Sequence, residues 1–280
     1  GEITQADGTG WNNVDLRGEW RPSGERTSKH QVSFGYHDDN YVLKTDTYNL
    51  LAGYWLNSAT GTLKTNARGK TETQAVYLQD AVQIAPALKL VAGGRMESWK
   101  ASNGSNYASS ANLTYQDLTV SAFSPKDSLS YQARPDLALR SSYGRATRFP
   151  TVGELFKNIG IKNLSGIDAT PAEIAGFPAP YNIAKTNDPN LKPEAADSWE
   201  LTAERFLESG VVRASLFGEE KRDALISQTD TTTLPGFSIS SVQNIDKVRS
   251  YGLEVSAQTK DWLIRGLDLS GNVTYVSSKI

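Results

Sequence analysis

Cysteine is absent from all 280 residues, which excludes disulfides and thiolate metal sites within the chain. Histidine occurs twice and methionine once, leaving few soft donors for a transition metal. His30 and His37 lie seven apart in a strand-like run, so alternation sends them to opposite faces and no shared ion is expected. Neither sign of charge dominates, with 29 basic and 31 acidic residues and a net charge of −2, so nothing electrostatic favours nucleic acid as a partner. There is no phosphate-binding glycine loop, no H-E-x-x-H and no G-x-S-x-G, so nucleotide and hydrolase chemistry lack a foothold. No cofactor is expected.

Long apolar runs are missing too. None approaches the roughly 20 residues that a membrane helix requires. That excludes helical spanning only, because a membrane β-strand needs about ten residues of alternating polarity, a signal that averaged hydropathy erases.

What is present is period two. LDLSGNVTY (267–275) sets Leu267, Leu269, Gly271, Val273 and Tyr275 against Asp268, Ser270, Asn272 and Thr274. SYGLEVSAQ opposes Tyr251, Leu253, Val255 and Ala257 to Gly252, Glu254, Ser256 and Gln258, and SWELTAE opposes Trp199, Leu201 and Ala203 to Ser198, Glu200, Thr202 and Glu204. Similar runs at 11–21, 30–37, 73–84, 88–99, 117–133, 137–149 and 211–228 bring the count to ten candidate strands. No stretch of helical period competes with them over comparable lengths.

The gaps alternate as well. Connections near 22–29, 85–87, 134–136, 207–210 and 260–266 are short, whereas those after residue 37 and at 100–116, 150–192 and 229–246 are long. Short turns at one end and long loops at the other are expected of an antiparallel transmembrane β-barrel, with the apolar face toward lipid and the polar face toward the lumen. The alternative is a soluble all-β protein with one buried face, carbohydrate-binding or carbohydrate-active, for which Glu200 and Glu204 are the candidate carboxylates. On a strand these two stand about 13 Å apart, beyond the spacing that glycoside hydrolysis uses.

The run SYGRATRFPTVGELF (142–156 with Ser141 before it) starts as a strand with Leu137, Leu139, Ser141 and Tyr143 on one face and Arg140, Ser142 and Gly144 on the other. Pro150 cannot donate to a ladder and ends it. Thr151 and Glu154 then stand in the spacing of a helix-capping box, as do Thr170 and Glu173 with Pro171 at the first helical position. Two short helices are predicted in this loop.

These residues carry a resemblance. SYGRATRFPTVGELF is similar to the strand-ending motif of TonB-dependent outer-membrane receptors, and NDPNLKPEAADSWELTAE (187–204) resembles that family's Asn-Pro-x-Leu-Lys-Pro-Glu segment with its descending strand. Asn244 with SYGLEVSA (250–257), and AFSPKDSLSY (122–131), resemble two more of its motifs in the same order. Residues 1–121 match in style only. The resemblance implies localisation in the bacterial outer membrane and no enzymatic activity. It implies part of a barrel of about 22 strands, with the plug domain and the terminal strands expected outside this chain. The implied function is TonB-dependent uptake of a bulky substrate, foremost a ferric siderophore. The implied partners are that substrate, the TonB complex through the plug, and outer-membrane lipid.

Under that resemblance, Tyr48, Tyr54, Trp55, Arg68, Tyr107 and Tyr181 are the candidate substrate contacts, with Lys64 and Lys70 as further cations for an anionic ligand. Arg140, Glu200, Glu204, Arg213, Glu254 and Asp268 are the candidate plug-facing residues of the lumen.

Overall fold

The computed structural model describes residues 1–25, 28–51, 59–108, 111–156, 160–178, 181 and 188–280. Its elements are β1 (Glu2–Gln5), β2 (Gly10–Trp20), β3 (His30–Leu50), β4 (Thr60–Ala85), β5 (Leu88–Ala108), β6 (Ala111–Thr114), β7 (Leu118–Arg134) and β8 (Leu137–Arg148). There follow α1 (Val152–Phe156), β9 (Gly160–Asn163), α2 (Pro171–Gly176), β10 (Glu194–Leu207), β11 (Gly210–Asp230), β12 (Phe237–Thr259) and β13 (Leu269–Lys279).

Every strand pairing is antiparallel, and neighbours in sequence are neighbours in the sheet. β1 pairs with residues 46–49 of β3 and β2 with residues 32–42 below them, so they act as one interrupted strand. Counted that way, ten strands form the sheet, as the alternating runs predict. β6 and β9 are short loop strands laid against β5 and β12. Among the described residues the sheet is open, its first and last strands not paired with each other.

The register shows why the strands alternate. Leu90, Leu129, Ser141, Leu201, Leu216, Leu253 and Tyr275 stand opposite one another across seven strands. One step toward the turns, Tyr131, Leu139, Ala203, Ala214, Val255 and Val273 form a second apolar row on the same face. These side chains are not packed into a core: Leu253 is 42% exposed, Val255 40% and Val273 74%. A wide apolar face left open is unstable in water and suits contact with hydrocarbon.

Charge marks both edges of this belt. Arg205, which pairs with Asp136, sits at its lower margin, and Asp197 with Arg145 sits at its upper one. Arg205 and Asp197 are eight positions apart on β10, about 27 Å along the strand and about 21 Å in height at a tilt near 40°, close to the apolar band of an outer-membrane barrel. Trp199 lies just inside the upper margin, its indole flat over Gly218, where a Cβ would come within 2.7 Å of the ring.

The β8–β10 connection, residues 149–193, is a long loop as expected, but much of the other long gaps is strand. β3, β4, β11 and β12 run for 21, 26, 21 and 23 residues, about twice what a bilayer requires, and continue upward as paired ribbons. Only residues 51–59 join β3 to β4, and only 231–236 join β11 to β12. Above the membrane both faces meet polar surroundings, so apolar alternation fades while the backbone ladder persists. The lower turns are short, the briefest being residues 86–87, 135–136 and 208–209.

Candidate functional site at the mouth of the sheet

The main hydrophobic cluster lies on the polar, concave face near the top of the strands. It is built around Trp99, Ala101, Val152, Leu155, Phe156 and Leu191. The β8–β10 loop supplies four of these, because Pro150 ends β8 and the chain turns inward through α1. Thr151 caps α1: its hydroxyl accepts the Glu154 N–H at 3.2 Å, while Glu154 returns a carboxylate oxygen to the Thr151 N–H at 2.8 Å. Arg148 forms a salt bridge to the same carboxylate. The second expected helix is present too, with Thr170 and Glu173 completing a capping box around Pro171.

Two glycines make the socket. A Cβ at Gly104 would stand 2.5 Å from the Phe156 ring, and one at Gly69 would stand 2.8 Å from both Phe156 and Val152. Only glycine admits the helix this close to the wall. Phe149 stacks on Trp99 with centroids 5.5 Å apart and planes 4° from parallel, and Tyr115 stacks on Phe156 at 5.2 Å.

The far end of the loop is fastened to β12, two strands along the sheet from β10. Asn244 on β12 accepts the Lys192 N–H at 2.9 Å and donates its amide to the Lys192 carbonyl at 3.0 Å and to the Asp223 carbonyl at 2.7 Å. Next to it, Glu194 accepts the Leu225 N–H at 3.0 Å. Leu191 is thereby held 4% exposed in the cluster that holds Phe156.

A cleft of about 640 Å³ opens beside this latch, lined by Trp11, Tyr41, Trp99, Phe149, Thr71 and Asp39 among others. Its walls are aromatic and apolar with a few hydroxyls and one carboxylate, a lining suited to a bulky, partly apolar ligand. Lower on the same face, Arg140, Glu200, Glu204 and Arg213 surround one hollow of about 350 Å³. Arg213 donates to Glu204 at 2.8 Å, and Thr202 bridges Glu200 at 2.6 Å and Ser215 at 2.8 Å. Glu254 faces the same way, with Thr274 donating to it at 3.4 Å.

Asp268 is placed differently from the other five. It lies in the turn between β12 and β13, where it accepts the Asp261 N–H at 3.1 Å, and so belongs to the lower rim.

The candidate substrate contacts do not form one group. Tyr54 and Trp55 lie outside the described residues. Arg68 and Tyr107 fall on the outward face, in phase with Val76 and Leu78 along β4, because Tyr107 is opposite Asn66 in the register. Arg68 is already engaged, its guanidinium 2.7 Å and 3.0 Å from the two oxygens of Asp46. Lys70 is likewise paired with Glu72, and Lys64 with Glu2. A register shift beside Tyr48 sets that residue opposite Leu63. Tyr181 packs against a second small cluster of Ile161, Leu234 and Ile239. Of the aromatic residues that do line the mouth cleft, Trp11, Tyr41 and Trp99 lie on strands, where alternation alone gives them the wet face, and Phe149 follows the last residue of β8.

Comparison with known proteins draws these features together. Residues 3–280 match the family described as TonB dependent receptor-like, beta-barrel. The chain belongs to the TonB-dependent receptor β-barrel family. It is an outer-membrane barrel segment of bacterial type, and the family is one of transporters and receptors rather than enzymes.

Solved structures agree in fold. The chain is similar to the copper transporter OprC, with a TM-score of 0.67 at 12% identity, covering 96% of this chain and 38% of that one. It is similar to the ferric yersiniabactin uptake receptor FyuA from Yersinia pestis, with a TM-score of 0.61 at 15% identity, covering 96% and 35%. It is similar to the ferripyoverdine receptor of the outer membrane of Pseudomonas aeruginosa, with a TM-score of 0.59 at 14% identity, covering 97% and 33%. This TonB-dependent receptor segment therefore spans about a third of the length of the structures it resembles. No curated protein matches its sequence.

The residues quoted for the family resemblance are the ones that build the latch: Pro150, Thr151, Glu154 and Phe156 at one end, Leu191, Lys192 and Asn244 at the other. Gly69 and Gly104 escaped the sequence reading. Nothing in the sequence separates them from Gly61, Gly93 and Gly94 on the same two strands.

Proposed function

We propose that the chain forms part of the wall and mouth of a receptor that imports a ferric siderophore, using energy relayed by TonB through a plug in the lumen. The observation that carries this reading is the inward-folded β8–β10 loop. It is held at both ends, and beside it the mouth keeps an aromatic cleft rather than closing over. A chelate of about drug size fits such a cleft by stacking on Trp11, Tyr41 and Phe149.

The lower lumen supports a plug. Arg140, Glu200, Glu204, Arg213 and Glu254 form a patch of both signs with spare hydrogen-bonding capacity, which a folded polar domain can meet better than hydrocarbon can. Of the three similar structures named above, two are receptors for ferric chelates and one is a copper transporter. Within this chain the copper reading finds few donors at the mouth. Met96 lies on the lipid face, 53% exposed, and His30 starts β3 at the turn end, 2.6 Å from Asp80.

The soluble carbohydrate-binding alternative is disfavoured by the open apolar rows and by the strand separation of Glu200 and Glu204, about 13 Å. The test is growth of a strain lacking the full-length gene on a panel of ferric chelates as sole iron source. Loss of growth on one chelate, restored by the intact gene but not by a Trp11→Ala, Phe149→Ala variant, supports the reading. Unimpaired growth on every chelate, with copper uptake reduced instead, overturns it.

A further inference from the structure

Above the apolar belt, and on its outward face, the strands carry a second set of charges that the lumen does not see. In the register Tyr143, Trp199, Gly218 and Tyr251 form an aromatic row. One step higher, about 7 Å along the strands, Arg145, Asp197, Glu220, Arg249 and Lys279 stand side by side. Another step up, Arg222 is opposite Lys247. All these positions share the phase of Leu201, Leu216 and Leu253, so the row lies where the hydrocarbon ends and the headgroups of the outer leaflet begin.

The charges are layered. Asp197 takes both arms of Arg145, at 2.8 Å and 3.0 Å, and also Arg222 at 3.2 Å and the Tyr143 hydroxyl at 2.6 Å. Glu220 takes Arg222 at 3.0 Å, Arg249 at 2.8 Å and Lys247 at 3.4 Å. The acids are recessed, their side chains 13% and 27% exposed, whereas Arg222 and Arg249 reach outward at 48% and 61%. Four cations, Arg145, Arg222, Lys247 and Arg249, thus share two carboxylates, and the exposed layer is cationic. Two carboxylates are enough to pre-set the direction of the guanidinium groups without neutralising them.

The geometry points to a binding site for the phosphate groups of a phosphorylated lipid of the outer leaflet, with acyl chains against Trp199, Leu201, Leu216 and Leu253 and phosphate against Arg222, Lys247 and Arg249. Charge complementarity at a fixed height, directly above an aromatic row and an apolar wall, selects this occupant. A soluble anion meets the same cations but gains nothing from the wall below. Paired guanidinium groups suit phosphate oxygens because each offers two parallel N–H donors.

The test uses the full-length receptor in nanodiscs containing either bisphosphorylated lipid A or the same glycolipid with its phosphates removed. Lipid retained through detergent exchange is counted by native mass spectrometry, for the wild type and for the Arg222→Gln, Lys247→Gln, Arg249→Gln variant. The inference expects selective retention of the phosphorylated form by the wild type and a loss of at least about ten-fold in the variant, from about 1 kcal/mol per surface cation. Lys221→Gln, on the lumenal face of β11, should retain lipid normally. Equal retention of both glycolipids by the wild type overturns the inference and needs no variant to fold. Competition by 10 mM inorganic phosphate as effective as competition by lipid also overturns it, since the wall then contributes nothing. Uptake of the cargo is read separately, so failure here leaves the proposed transport function standing.

Discussion

Asn244 and Lys192 exchange two hydrogen bonds, side-chain amide to backbone, at 2.9 Å and 3.0 Å. Asn244 thereby acts as one residue of an extra strand, and it satisfies the Asp223 carbonyl as well. Replacing it with alanine leaves three backbone groups to find water, at about 1–3 kcal/mol for those that stay buried. Hydrogen exchange in the full-length receptor should show loss of protection at Lys192 and Leu225, with the rows of β10 below unaffected.

Gly104 tests the socket from the other side. Gly104→Ala places a methyl within 2.5 Å of the Phe156 ring, and overpacking of this kind costs about 1–3 kcal/mol. The expected result is release of α1, read as increased protease cutting after residue 150 and a red-shifted Trp99 emission. Combining it with Phe156→Leu should recover part of the loss, because the smaller side chain vacates the contested space.

The latch also depends on pH. Burial works to raise the Glu154 carboxyl, but the Thr151 N–H, the Arg148 guanidinium and the Thr151 hydroxyl outweigh it and hold the value below the ordinary one. A folded value below the unfolded one, about 4.3, means that the contribution is complete above that pH and is lost as pH falls through the folded value. Protection of α1 should therefore be flat from neutral pH down to about 5 and decline below about 4. Glu154→Gln should be less protected at neutral pH and lack that decline.

On the outer wall the sign of a substitution should follow its phase. Leu253→Arg places a cation against hydrocarbon and should cost about 2–4 kcal/mol in refolding into lipid vesicles. Ser215→Asn, 7% exposed on the wet face and bonded to Thr202, should cost less than half as much.

How much of this could be read from residues alone depends on which environment each position meets. Between the two charged margins, one face meets lipid and the other water, so Leu201 and Thr202 differ for a strong physical reason and the ten strands were legible. Above the upper margin that contrast disappears. Residues 38–50 and 60–72 looked like loop because Asn40, Lys44 and Thr47 on one ribbon face Glu72, Arg68 and Thr65 on the other, although their backbones pair without a break from Asn40 to Thr47. The capping boxes at Thr151 and Thr170 were legible because they are local, needing only four residues each. The socket was not, since Gly69 and Gly104 lie on the paired strands β4 and β5 and Phe156 reaches them only through the inward fold of the β8–β10 loop. The outward phase of Arg68 was hidden for a related reason: it could be counted only once β4 was known to run unbroken from Thr60 to Ala85.

The central claim is that alternate residues of one strand meet hydrocarbon and their neighbours meet an aqueous lumen. Nitroxide labels placed singly at residues 200, 201, 202 and 203 of the full-length receptor in lipid vesicles test it directly, and this chain contributes no cysteine of its own to the labelling. Oxygen dissolved in the bilayer should relax the labels at 201 and 203, and a water-soluble nickel chelate those at 200 and 202. Uniform access along the four positions, or the opposite phase, would contradict the account.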